Sequence, residues 1–316
     1  MLNFLKKYFY PVFFIGLFLL TGLAWNLNNL LLLHILQNFF LIASLGMAWN
    51  LMAGLCGQYS FGHALYSGLG SYLAIFFLIH FPDYFLFNLL CILMIVALFS
   101  FFIFFLIIHF KIEHAYFTLL SISFLECGRL FFENAPWFGR TNGFFSPPSH
   151  YQLFIQDHFL WIMFCLMMAI FIVSYFVFRS DTALEAGAIR DNKNAALSIG
   201  INPYKSPVLV MVLSCVLTAL VGIIYSFYQK NLFPEDIFSQ QRSMHIILSP
   251  IIGGVGYLFG PILGSALFII LSESTDWFIF DFLEIDIPGL KYVIFGFILL
   301  IIILKIPKGL MSLIKK

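Results

Sequence analysis

Apolar runs of bilayer length follow one another along almost the whole of this chain, separated by short polar segments. A bilayer core takes about 20 apolar helical residues to cross. Runs of that kind stand at 8–25, 30–53, 64–81, 85–110, 115–132, 159–178, 207–229, 243–256, 261–276 and 288–306. Of 316 residues, 62% are hydrophobic and 10% charged, with a mean hydropathy of +0.99. An ordinary soluble domain is about a quarter charged. A water-soluble core of this size has no room for so much apolar surface, so lipid is the solvent for most of the chain. The fold expected is an all-α integral membrane protein of about ten transmembrane helices. No polar segment is long enough to fold separately, so 1–316 reads as a single membrane domain. The run at 243–256 is short and broken by Pro250, Gly253, Gly254 and Gly256. It reads as a half-span or re-entrant element, which is stable only where protein or a cavity shields its backbone.

Lysine and arginine set the orientation. Lys6, Lys7, Lys111, Arg179, Arg190, Lys193, Lys205, Lys305, Lys308, Lys315 and Lys316 fall on one side of ten crossings, the cytoplasm. Asp83, Glu133, Asp157, Glu235, Asp236, Asp276, Asp281, Glu284 and Asp286 fall on the other, with Arg140, Lys230 and Arg242 against the trend. Both termini are expected inside the cytoplasmic membrane. Lys6 and Lys7 before an apolar run imitate a signal peptide, but no small-residue cleavage site follows, and the segment reads as an uncleaved first span.

Several chemistries lack their sequence signatures. No GxxxxGK[ST] loop is present to cradle a nucleotide phosphate, and no HExxH pair to hold zinc. His63, His109 and His114 have no carboxylate at ligand spacing on one helix face. The chain is expected to bind no metal and no cofactor and to be no enzyme. Cys56, Cys91, Cys127, Cys165 and Cys215 form no CxxC pair and read as small buried hydrophobes.

The longest cytoplasmic polar stretch, 180–206, reads SDTALEAGAIRDNKNAALSIGINPYKS. Leu184, Ala188, Ala195, Ala196 and Ile199 follow helical spacing, and Gly200 is a natural helix stop before Pro203 and Pro207. A helix is therefore expected over 184–200, with Glu185 and the charges at 190–193 facing water or a partner. On spacing alone, a solvated loop helix that merely fixes topology is the plainer reading.

The segment AIRDNKNAALSIGIN closely resembles the cytoplasmic loop of LivM-type permeases of the branched-chain amino acid ABC importers. Three further segments resemble that family in the same order: GLCGQYSFGHALYSGLGSY at 54–72, the ExxR pair Glu126 and Arg129 followed by Thr141, Asn142 and Gly143, and IGGVGYLFGPILGSA at 252–266. The end, 288–310, with IPGLKY and IPKGL, matches as well. Lys193 departs from the acidic residue more usual there, and Arg140 from a small one. The resemblance implies a permease subunit with a short cytoplasmic coupling helix, paired with a LivH-like second permease. Two ABC ATPase subunits that hold the ATP and an extracytoplasmic substrate-binding protein would complete the importer. It assigns ATPase coupling to Leu184, Glu185, Arg190, Asp191, Asn192, Ala195 and Gly200.

The remaining candidates have a plain reading beside the functional one. Gly57, Gln58, Ser60, Gly62 and His63 bring polar groups to membrane depth, which fits a pathway or gate; the alternative for the glycines, and for Gly68 and Gly70, is close helix packing. Glu126 and Arg129 lie three residues apart on one helix face and serve either the pathway or a structural ion pair. Thr141, Asn142 and Gly143 join the pathway group through the resemblance. Gly253, Gly254, Gly256, Gly260 and Pro261 make a break that is either a hinge or a simple turn. Alternatives to amino acid import are urea or short amides through the same permease type, and a secondary transporter or channel without an ATPase.

Overall fold

Polar residues at the ends of the apolar runs decide where helices begin, and glycines decide where several of them stop. Asn29 accepts from the amides of Leu31 and Leu32 and starts one helix; Gly57, at φ 68°, ends it in the left-handed conformation. Ser149, Ser180 and Ser239 cap three more helices in the same way. A computed structural model describes residues 2–27, 29–110, 112, 114–147, 149–276, 290–306 and 309–314. Lys111, Asp281, Glu284, Asp286, Lys308, Lys315, Lys316 and the 288–289 start of the last expected span lie outside the described residues.

The helices are α1 (Leu2–Leu27), α2 (Leu30–Cys56), α3 (Ala64–His80), α4 (Phe85–His109), α5 (His114–Asn134), α6 (His150–Asp157), α7 (Phe159–Phe178), α8 (Asp181–Asp191), α9 (Lys193–Ser198) and α10 (Lys205–Gln229). After them come α11 (Pro234–Ile237), α12 (Gln240–Gly253), α13 (Gly260–Asp276), α14 (Leu290–Lys305) and α15 (Met311–Ile314). Helices thus occupy all ten apolar runs. Of these, α2, α4, α5, α7 and α10 are long and apolar enough to cross a membrane by length and composition. The apolar part of α1, α3 and α13 are shorter.

At the centre, α10 packs against α3, α2 and α4, and α12 packs against α13 and α2. The α3–α10 seam is built from small residues. A Cβ on Gly70 would meet the Ala219 carbonyl, one on Gly222 the Ser67 carbonyl, and Ser71 donates to the Gly222 carbonyl at 2.8 Å. Lipid offers no hydrophobic drive between helices, so close backbone approach supplies the attraction. The packing reading therefore holds for Gly70, and Gly68 likewise lies against the Phe238 ring.

Segments sorted by charge meet at opposite ends of the bundle. At one end, β1 (Phe144–Phe145) pairs antiparallel with β2 (Asn231–Leu232), and Gln156 donates to the Phe227 carbonyl at 2.9 Å. Tyr72 pins this end from below, its hydroxyl donating to the Leu232 carbonyl at 3.1 Å and its ring stacked on Phe144. At the other end α8 lies against α2 and α10, and the Leu310 amide donates to the Ile252 carbonyl at 2.9 Å.

Three sequence expectations change. The island is two helices, because Asn192 adopts an extended backbone (φ −156°, ψ 99°) and its side chain accepts from the Ala195 amide, capping α9. The expected 243–256 run is shifted to 240–253, since Gly254 (φ 116°) and Gly256 (φ 82°) take left-handed conformations that a helix cannot contain. Cys56 and Cys215 are buried, but Cys127 and Cys165 are on outward faces; thiols are apolar enough to face lipid.

Candidate functional site

The polar island is tied to the bundle by charged groups. Arg190, in the last turn of α8, donates Nη1 to the Gly54 carbonyl at 2.5 Å and pairs with Asp191 at 2.9 Å. Glu185, expected to face water or a partner, accepts instead from the Ser206 hydroxyl at the start of α10. Ala183, Ala186 and Ala196 form the inward face, while Leu184, Leu197 and Ile199 point outward, each about half exposed or more. Ala195, Asp191, Asn192 and Lys193 are exposed beside them. Gly200 sits at φ 85° with open space around it, ending the island after α9. The result is a short double helix held on its alanine face and presenting an apolar and charged surface outward.

Gly54 connects this contact to the glycine break. Its Cα faces Gly256, so a Cβ there would stand 2.7 Å from the Gly256 Cα. One turn earlier on α2, the buried Asn50 accepts from the Gly256 amide at 2.8 Å and donates to the Tyr257 carbonyl at 3.0 Å. Beyond it Gly253 abuts the Gly260 carbonyl, and Gly264 the Ser249 carbonyl. Pro261 is buried and its carbonyl accepts from Ser249 at 3.3 Å. Backbone packs on backbone throughout 253–264.

Residues 57–63 fold back into the bundle. The Ser60 carbonyl accepts from Trp49 Nε1 at 2.8 Å, and His63 Nε2 lies 3.2 Å from the Ser214 hydroxyl, which donates to the Ala48 carbonyl at 2.6 Å. Ala48 is two turns before the end of α2, so the return reaches about 12 Å along it. Non-helical backbone at such depth is stable only when protein satisfies it. Ser121 on α5 accepts from the Phe61 amide at 2.9 Å, and Ser243 on α12 from the Ala64 amide at 3.1 Å. A Cβ on Gly62 would collide with the Ser121 carbonyl. His63 is fully buried with Nδ1 lacking a partner, and buried Gln58 Oε1 lacks one too.

On α5 the pair Glu126 and Arg129 gains a third member. Arg129 Nε donates to Glu126 at 2.8 Å and Nη1 to Glu133 at 2.5 Å, and Gln240 reaches Glu126 at 3.2 Å. Two acids surround one base, and Glu126 and Arg129 remain about a third exposed. Thr141, Asn142 and Gly143 lie apart from the folded-back segment. Thr141 and Asn142 are exposed on a 3-10 turn, and Gly143 packs against Phe233 beside the β pairing. The structure therefore brings together the 57–63 residues with α5, α10 and α12, and the island with the glycine break, but leaves 141–143 apart from both, with Thr141 and Asn142 exposed and Gly143 buried. Among the described residues, no three His, Cys, Asp or Glu side chains converge as a metal site would need.

Residues 31–303 match the family described as "Branched-chain amino acid transport system / permease component". The chain belongs to this permease family. A relative is the "Probable branched-chain amino acid transport permease protein LivM" of Methanocaldococcus jannaschii, 23% identical over 157 residues. That match covers 48% of this chain and 46% of the relative, so it spans less than half of either. No solved structure matches the chain significantly.

Within the permease, the supports of both breaks escaped sequence reasoning. Trp49, Asn50, Ser121, Ser214 and Ser243 each stand in an apolar run, where one polar side chain resembles any other. Buried polar groups require partners, and at these positions the partner is backbone of a non-helical segment. Only the brevity of α3 and α12 beside the glycines hinted that such segments needed support.

Proposed function

We propose that this permease forms half of the translocation pathway of an ATP-driven importer of branched-chain or other hydrophobic amino acids. It is read as a single domain in the cytoplasmic membrane, with ten crossings and both termini inside. A homologous second permease, two ATPase subunits and an extracytoplasmic binding protein complete the machine. The observation that carries the reading is the direct link from the island to the glycine break, Arg190 to Gly54 to Gly256, with Asn50 bracing the turn. An ATPase seated on Leu184, Leu197, Ile199, Ala195 and Asp191 would move α8 and α9 as a unit. Arg190 would pass that movement to the end of α2 and the break at 253–261. Glu126, Arg129 and the 57–63 return would lie along the path.

A mild-detergent pull-down of the tagged chain from its native host tests this. Recovery of an ATPase pair and a second permease supports the importer. A chain that transports alone overturns it. The excess negative charge of Glu126, Arg129 and Glu133 favours a cation-coupled secondary transporter in that event.

A further inference from the structure

Arg242 ran against the charge trend, and its surroundings give it a purpose. A cavity of about 380 Å³ opens between α2, α10, α12 and α13, and Arg242 on α12 lines it. The guanidinium lies over the Tyr225 ring at 4.2 Å, yet Nε is buried with no hydrogen-bond partner. Glu273 on α13 lines the same cavity. Among the described residues neither Arg242 nor Glu273 belongs to an ion pair. Holding a cation and an anion partly out of water without pairing them is costly, so an occupant that answers both charges would stabilise the site. The rest of the lining is mixed: Leu41, Ile42, Leu45, Ile246, Phe268 and Ile269 are apolar, and His34, Asn38, Tyr225, His245 and Ser272 carry polar groups. The volume falls within the roughly 300–1,000 Å³ of small-molecule sites, and the lining is more polar than is usual for them.

We propose that this cavity binds a small zwitterion, with its anionic group at Arg242 and its ammonium at Glu273. A free aliphatic amino acid and the headgroup of an ethanolamine phospholipid share that chemistry. The amino acid is the better fit, because Leu41, Ile42, Leu45, Ile246, Phe268 and Ile269 give the cavity apolar surface for a short branched side chain. The inference rests on the reading of the chain as an amino acid permease. It adds a selective station within the membrane subunit.

The test is binding of radiolabelled leucine to the full-length chain in lipid nanodiscs, made either from phosphatidylglycerol alone or with phosphatidylethanolamine added. Saturable binding is expected in the first. 4-Methylpentanoate, which lacks the ammonium, and isopentylamine, which lacks the carboxylate, should each compete at least about tenfold less well than unlabelled leucine, the scale of a lost charged hydrogen bond. Arg242→Gln and Glu273→Gln should each weaken leucine binding at least tenfold. The analogue competition needs no variant, so a substitution that fails to fold does not rescue the idea. Equal competition by either analogue, or no leucine binding, overturns it. Ethanolamine phospholipid retained by the wild-type chain and lost from Arg242→Gln, without leucine binding, assigns the cavity to lipid instead. ATPase capture by the same preparation is scored separately: capture without leucine binding sinks this site alone, and failure to capture sinks the importer reading.

Discussion

Arg190 and Asp191 are neighbours with different duties. Arg190 alone reaches Gly54, whereas Asp191 is exposed and its pair with Arg190 is of a kind worth about 0–1 kcal/mol. Arg190→Gln in the reconstituted importer should cut uptake at least about tenfold while ATP hydrolysis continues. Asp191→Asn should leave uptake within about twofold. Uptake and hydrolysis measured in the same vesicles check both, and equal effects of the two substitutions would end the assignment. Glycines divide in the same way. Gly222→Ala should destabilise by about 1–3 kcal/mol, since its Cβ meets the Ser67 backbone. Gly187→Ala, in open space within α8, should stabilise by about 0.5–1 kcal/mol. Thermal unfolding in one detergent checks the pair; a fall for both would mean that α8 does not tolerate even a methyl. At this scale the sequence exposed Arg190, Gly54 and His63 as unusual for their surroundings. It hid Asn50 and Ser121, because a lone polar residue in an apolar helix carries no mark of what it faces across 60 or 200 positions.

Among the elements, existence was easy to read and continuity was not. Apolar length alone located the helices, since the backbone in lipid must bond to itself. The island read as one helix because its apolar spacing runs through Asn192, and spacing does not register a side chain that caps the next turn rather than continuing the last. Asn192→Ala removes that cap, at about 1 kcal/mol, and frees 181–198 to join into one rod. The expected result is weaker co-purification of the ATPase from an otherwise stable permease. Undiminished capture would show that the bend has no part in docking. Gly200→Leu should act in the same direction, because φ 85° strains any side chain and its relief is a longer helix.

For the whole molecule, side is the testable property. A cysteine at 193 should react with a membrane-impermeant maleimide only from the cytoplasm, and a cysteine at 141 only from outside; both positions are exposed. Cys127 and Cys165 also lie on outward faces and should be replaced first. Labelling of both positions from one side would break the ten-crossing parity. The charge distribution is what carries this expected arrangement, because topology is decided by a few cations at helix ends. The return at 57–63 was not legible, since its depth depends on distant serines.

Residues 309 and 310 add a consequence in time. Gly309 lies against Gly254, and the Leu310 amide donates to the Ile252 carbonyl, so the end of α12 is completed by residues that the ribosome adds only after α13 and α14. Until they emerge, the glycine break lacks a wall, and the Ile252 carbonyl lacks this bond. The region that would move during transport thus closes only after α14 has been made, and a chain stalled before residue 309 would leave that region unfinished.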